Sequence, residues 1–217
     1  MAVSRFADRA DAGRRLGERL AYLRGEDIVV LGLARGGMPV AFEVARRLEA
    51  PLDVILVRRL HRPGDPGLTI GAVGEGGAEV LDEPALLTRG VTAAEVEAAR
   101  AAGMAELGRL EDLVRQGRPP VPLDDRTVVL VDDGIVAGAA ARAACRSARR
   151  RGSDRTLLAA PVATAAALVD LSRDAELVCL EVAPETGTLG EYYERFPATS
   201  DSEVIRLLRA APVWLPG

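Results

Sequence analysis

A chain of 217 residues, 48% hydrophobic and 28% charged, is long enough for one domain with a full core and has the balance of a soluble globular protein. A formal charge of −4 gives no dedicated surface for nucleic acid or membrane, and all 28 basic residues are arginine, which excludes a lysine Schiff base and a Walker-type phosphate loop. Two cysteines, Cys145 and Cys179, with no CxxC and no nearby histidine, argue against zinc and disulfides; both read as small core residues. The charged N-terminus shows no signal peptide or membrane span, so the expected compartment is the cytoplasm.

In chain order, Asp8 to Arg24 carries Leu16, Leu20 and Leu23 at helical spacing, and Gly25 stops it. Ile28 to Leu33 is a continuous apolar run, the pattern of a strand covered on both faces. Pro39 can open a helix that runs to Leu48, and Leu52 to Val57 reads as a second buried strand. Strand, helix, strand at this spacing predicts a βαβ unit and a parallel sheet. Between His61 and Pro122 the rhythm changes. Ile70 to Glu79 holds four glycines and reads either as short strands or as a mobile loop, in which Glu75 could close over a site or sit on a solvated turn. Thr92 and Glu95 form a capping box opening a long helix to about Gln116, followed by Gly117 and three prolines. Residues 61–122 are therefore expected to be a helical insertion or lid on a single domain spanning 1–217; the alternative is a crossover helix with long loops. Strands at 127–131, 156–162 and 176–182 then alternate with helices at 138–151 and 163–172. Ser200 and Glu203 open a last helix, and Trp214 is expected to dock the tail. The fold class is α/β, a doubly wound and mainly parallel sheet, whose ligands bind at the carboxyl ends of strands near the switch point.

The segment with the most chemistry is Val128 to Ala140. A buried strand ends in two carboxylates, Asp132 and Asp133, and a loop of small residues runs straight into a helix. Small residues admit a ligand close to the backbone, and amides at a helix N-terminus favour an anion such as phosphate. Two carboxylates beside a phosphate make sense if they face ribose hydroxyls or a magnesium ion on the same ligand.

Four apolar residues, two acids and a small-residue loop resemble the 5-phosphoribosyl-1-diphosphate fingerprint of type I phosphoribosyltransferases. Leu31 to Gly37 (LGLARGG) is similar to that family's diphosphate loop, and Tyr193, Phe196, Thr199, Asp201 and Glu203 resemble the ending of a bacterial subfamily of undefined substrate. The resemblance covers about four fifths of the element order. It implies a transferase that moves the 5-phosphoribosyl group from 5-phosphoribosyl-1-diphosphate to a nitrogen acceptor such as a nucleobase, with Mg²⁺ on the ligand, and a homodimer. Asp132 and Asp133 would be catalytic, holding the ribose. Gly134, Ile135, Val136, Ala137, Gly138, Ala139 and Ala140 would hold the 5-phosphate. Ala34, Arg35, Gly36, Gly37 and Arg59 would hold the diphosphate. The chain departs from the family at 136–140, which read Val, Ala, Gly, Ala, Ala where one or more threonines normally bind the phosphate. That departure motivates a second reading, a non-catalytic regulatory protein binding the same ligand.

Other residues stay open. Arg58 and Arg59 end the second expected strand, either facing ligand or solvated. His61 is the single histidine and has no paired carboxylate in a recognisable motif. Tyr192, Tyr193 and Phe196 either form a platform for the acceptor or pack an amphipathic helix on the core. Arg149 to Arg151 suit a helix C-terminus better than a polyanion site.

Overall fold

The computed structural model describes residues 5–211; Trp214 lies outside them. Five parallel strands, β1 (Ile28–Leu33), β2 (Leu52–Ile55), β6 (Thr127–Val131), β7 (Arg155–Thr164) and β8 (Glu176–Ala183), form one sheet in the order β2-β1-β6-β7-β8. Three more, β3 (Val57–Arg62), β4 (Asp65–Gly74) and β5 (Ala78–Leu81), form a separate antiparallel sheet. The main sheet is covered on both faces, as the unbroken apolar runs of β1 and β6 require. Helices α1 (Arg9–Arg19), α2 (Gly37–Leu48) and α7 (Asp201–Ala210) pack on one face with the C-terminal half of α4 (Ala93–Arg115). Helices α5 (Gly138–Arg150) and α6 (Ala165–Leu171) cover the other; α3 (Glu83–Thr88) lies between β5 and α4. No helix among the described residues is long and apolar enough to cross a membrane.

The strand order fixes where a ligand can enter. The chain winds outward from β1 to β2 in one direction and from β6 to β7 and β8 in the other. The switch point lies between β1 and β6, paired in register from Ile28–Thr127 to Gly32–Val131. Residues 34–37 and 132–134 leave the adjacent carboxyl ends of these strands.

Several expectations change. The first helix ends at Arg19, with Asp8 capping it and a short 3₁₀ turn covering Ala21–Leu23. The apolar run 52–57 divides: β2 stops at Ile55, and Val57 begins β3 in the other sheet. Arg58 and Arg59 thus sit within an antiparallel strand instead of ending a core strand. Periodicity could not show this, because Leu52 to Val57 is apolar apart from Asp53 and gives no mark at the break. The glycine-rich stretch takes its strand alternative, as β4 pairs with both β3 and β5. Across this sheet Leu60, Ile70 and Val73 pack on Ala99 of α4, the capping box of which forms as the sequence predicts.

Glu75 is neither on a closing loop nor on a solvated turn. It is buried in a cluster of four charges from four elements. Arg115, ending α4, bonds Glu75 Oε1 at 2.9 Å and Asp53 Oδ1 of β2 at 3.2 Å. Arg151, just after α5, bonds Glu75 Oε2 at 3.0 Å. Backbone amides of Leu56 and Val121 complete the carboxylates. Burial pushes the Glu75 carboxyl above its usual range even against the two arginines. The other members of the basic run also have local partners: Arg149 bonds the Asp174 carbonyl and Arg150 the Gly76 carbonyl. Cys145 is buried in the core, and burial raises its thiol to about 12; Cys179 is half-buried.

Breaking a buried charge cluster costs far more than cutting a surface pair. Arg115→Met leaves Asp53 and Glu75 short of their shared partner, and it should destabilise the fold by about 3–5 kcal/mol. Urea denaturation checks this; a loss under about 1 kcal/mol, the scale of a surface pair, would show that the cluster is not holding the two sheets together.

Candidate functional site

The carboxyl ends of β1 and β6 open into a cleft of about 560 Å³. Its floor is Leu33 to Gly36 and Asp132 to Gly134. Arg58, Arg59 and His61 of β3 and Glu106 of α4 line one side, and Leu189, Ala198 and Thr199 line the other.

The two loops on the floor are in direct contact. A Cβ at Gly36 would overlap the Asp133 carboxylate, and one at Gly37 would overlap the Val131 carbonyl and lie 2.9 Å from Asp132 Cα. Both positions are glycine because the acidic pair and its strand occupy the space a side chain needs. The turn also carries a cis peptide between Ala34 and Arg35. Arg35 reaches Asp201 of α7 at 3.5 Å, a loose pair with half of its side chain in solvent.

The two acids differ in setting. Asp132 keeps part of its surface in the cleft but is enclosed by protein, and its Oδ1 accepts the Asp133 amide at 2.9 Å. Burial first, then the neighbouring Asp133 charge, hold the Asp132 carboxyl well above the usual carboxylate range; Arg59 pulls the other way. Asp133 is tied to Arg9, the first residue of α1, whose Nε and Nη2 lie 2.8 and 2.7 Å from Oδ2. Its carbonyl accepts the Tyr193 hydroxyl at 2.6 Å.

Beyond the acids, Gly134 packs against Leu189, and Ile135 makes a short bridge to Ala163 of β7. Val136 is exposed, and Ala137 is the N-cap of α5. Ala137 offers no side-chain acceptor, so the first-turn amides of α5 stay open. Of the seven α-helices among the described residues, five have a side-chain N-cap: Asp8, Asp82, Thr92, Thr164 and Ser200. The two without one are α2, capped by Gly36, and α5. Both start at the ends of the strands that flank the switch point. Orphan amides with the positive end of the helix dipole suit anionic groups.

Of the residues singled out in sequence, Ala34, Arg35, Gly36, Arg59, Asp132, Asp133, Gly134 and Ala140 line the cleft, as does His61. Gly37 lies beneath Asp132, and Ile135 to Ala139 are not among the residues that line the cleft. Arg59 is exposed and has no ion pair among the described residues. Arg58 Nε lies 3.0 Å from Glu106, at an angle outside hydrogen-bond geometry. Tyr193 and Phe196 do not line the cleft. Tyr193 is buried between Phe6 and Phe196, and Arg9 covers the Phe196 ring at 3.8 Å. Tyr192 ends a 3₁₀ turn, Leu189–Tyr192, and Tyr193 and Phe196 lie in the segment after it, not in an amphipathic helix. Arg9, Glu106, Leu189 and Ala198 gave no signal in sequence, because nothing in their local pattern separates them from surface residues. Thr199 appeared only as part of a family-like ending.

No group of three or more His, Cys, Asp or Glu among the described residues forms a metal cage. With Asp133 held by Arg9, the residues do not fit a resident Mg²⁺ held by the protein; such an ion would arrive on the oxygens of a ligand.

Residues 8–182 match the family model of the phosphoribosyl transferase domain. A Mycobacterium tuberculosis protein with the provisional name "phosphoribosyl transferase" is 45% identical over 207 residues, 95% of this chain and 47% of that protein. The chain thus spans about half the length of the curated relatives it matches. The crystal structure of TT1426 from Thermus thermophilus is 42% identical with a TM-score of 0.79, covering 96% of this chain and all of that one. At 13% identity, the AQ2163 protein from Aquifex aeolicus shares the fold with a TM-score of 0.51, covering 95% of this chain and 87% of its own.

Asp132→Asn tests the enclosure of this acid. A carboxyl raised above its unfolded value costs stability as pH rises through the raised value, and an amide carries no such cost. Thermal melts should therefore show the variant gaining on the parent as pH rises above the ordinary carboxyl range; a variant that loses ground to the parent with rising pH would contradict the buried setting.

Proposed function

Because this chain belongs to the phosphoribosyl transferase domain family, we propose that its cleft binds 5-phosphoribosyl-1-diphosphate with Mg²⁺ and transfers the 5-phosphoribosyl group to a nitrogen acceptor. What carries this reading is the meeting of an acidic pair and two uncapped helix N-termini at one switch point. A ligand with a phosphate at each end and a diol between them satisfies all three.

In this reading the amides that open α5, with Gly134 to Ala140, hold the 5-phosphate. The amides that open α2, with Ala34 to Gly37, hold the diphosphate, and the charges of Arg35 and Arg59 offset it. Asp133 accepts from the ribose hydroxyls. Asp132, beside it, faces the same hydroxyls. The acceptor nitrogen enters along Leu189, Ala198 and Thr199, and its lone pair forms the new bond to C1. The C1–O bond breaks, diphosphate leaves with that electron pair, and the proton lost from nitrogen passes to solvent. Positive charge builds at C1 in the transition state, where a fixed carboxylate stabilises it. Magnesium on the diphosphate oxygens would neutralise the leaving group. A nucleobase acceptor and assembly as a homodimer belong to the same proposal.

The deciding experiment is calorimetric titration of the protein with 5-phosphoribosyl-1-diphosphate and Mg²⁺. Saturable binding tighter than about 100 µM supports the donor reading, on the scale of ordinary substrate affinities; no binding at millimolar ligand refutes it. Ala137→Thr with Ala140→Thr should restore hydroxyls to the phosphate loop. Each hydrogen bond to a charged group is worth about 1.5–3 kcal/mol, so affinity should rise at least tenfold. Unchanged affinity would remove the phosphate from this loop. The threonine-free loop also favours the regulatory reading, in which the ligand binds and no acceptor turns over. Asp132→Asn combined with Asp133→Asn should abolish any turnover found, with the fold intact by circular dichroism.

A further inference from the structure

Resting on the ribose role proposed above for the acidic pair, we propose that Arg9 is a positioning residue for the donor. It selects which oxygen of Asp133 meets the ligand and couples that oxygen to the C-terminal wall of the cleft.

Every polar group on this guanidinium has a task at the cleft. Nε donates to Asp133 Oδ2, Nη2 lies 2.7 Å from the same oxygen as an ion pair, and Nη1 donates to the carbonyl of Pro197. Its central carbon lies 3.8 Å from the Phe196 ring centroid, so the fork cannot swing away without losing the stack. Although it lines the cleft, the side chain is only 11% exposed. Oδ2 is thereby engaged by one hydrogen bond and the guanidinium charge, and the Gly36 backbone presses against the same carboxylate. Oδ1 is the Asp133 oxygen left for a hydroxyl. The Tyr193 hydroxyl holds the other end of the residue through its carbonyl. Residues 193–197 therefore clamp Asp133 from both ends, and they lead directly to Ala198 and Thr199. A pre-fixed acceptor needs no reorganisation when the ribose arrives.

The fold does not need this arginine for its core. Helix α1 is anchored by buried Ala12 and Leu16, with Leu20 just after it, and by close contact of Gly13 with the Val40 carbonyl of α2. Lysine would keep the charge but not the planar fork that satisfies Oδ2 and Pro197 together.

The test is calorimetric titration of the full chain and of Arg9→Lys and Arg9→Met, each with two probes: 5-phosphoribosyl-1-diphosphate with Mg²⁺, and inorganic diphosphate with Mg²⁺. Diphosphate engages loop 34–37 and not the ribose carboxylate. Donor affinity should fall roughly tenfold or more in both variants, the scale of a lost charge-assisted hydrogen bond, with diphosphate affinity unchanged. Equal losses for both probes would mean a merely structural role and overturn the inference. Unchanged or tighter donor binding would show that Arg9 is idle or competes with the ligand, and would overturn it equally. Parent protein that binds diphosphate but not the donor, or neither, overturns the donor reading and this inference with it. If Arg9→Met fails to fold, Arg9→Lys, which keeps the charge beside Asp133, carries the comparison.

Discussion

Three buried charges and the partly buried Arg151 hold the architecture in place. Asp53, Glu75, Arg115 and Arg151 come from β2, the turn after β4, the end of α4 and the residue after α5, and they meet where the two sheets join. Charges withdrawn from water are tolerated only when each is met by several partners, so this junction permits one relative placement of its four elements. That placement sets β3 and α4 beside the main sheet. Arg58, Arg59, His61 and Glu106 reach the cleft because the antiparallel sheet is locked to the main one at this junction. The separation of β2 from β3 at Leu56 follows from the same junction, since the Leu56 amide donates to Glu75 rather than to a strand neighbour.

At the cleft the constraint is one of space and field. Two loops from adjacent strands approach so closely that glycine is required at 36 and 37. Their helices then begin without side-chain caps, while all five other helices among the described residues are capped. Uncapped amides present positive potential on either side of an acidic pair, an arrangement that is unfavourable for a simple anion alone and suited to a ligand with alternating anionic and hydroxyl groups. The loss of loop hydroxyls at 137 and 140 leaves that backbone contribution intact.

The third element of the site is made by the two distant ends of the described chain. Phe6 bridges Tyr193, Arg195 bonds Asp8, and Arg9 joins Pro197 to Asp133. The wall opposite β3 is therefore a composite, and it is fastened to Asp133 on the cleft floor. Aromatic residues are scarce in this chain, and three of them are used in this fastening rather than on an open stacking surface.

The amino-acid sequence by itself determined the periodic elements and the chemistry at the end of β6. Apolar runs at 28–33 and 127–131 read as buried parallel strands, Thr92 with Glu95 marked the start of α4, and the two acids with their small-residue loop marked the site. These signals are local: each depends on side-chain spacing over a few turns of chain. Tertiary structure alone decided the rest. The run 52–57 had to be cut between two sheets, Glu75 had to find Arg115 and Arg151, and Tyr193 had to turn from a supposed platform into a support for Asp133. Arg9 lies 124 positions from its carboxylate partner. Pairings across such distances are set by strand order and by the cost of burying charge, and neither leaves a pattern that neighbouring residues can show.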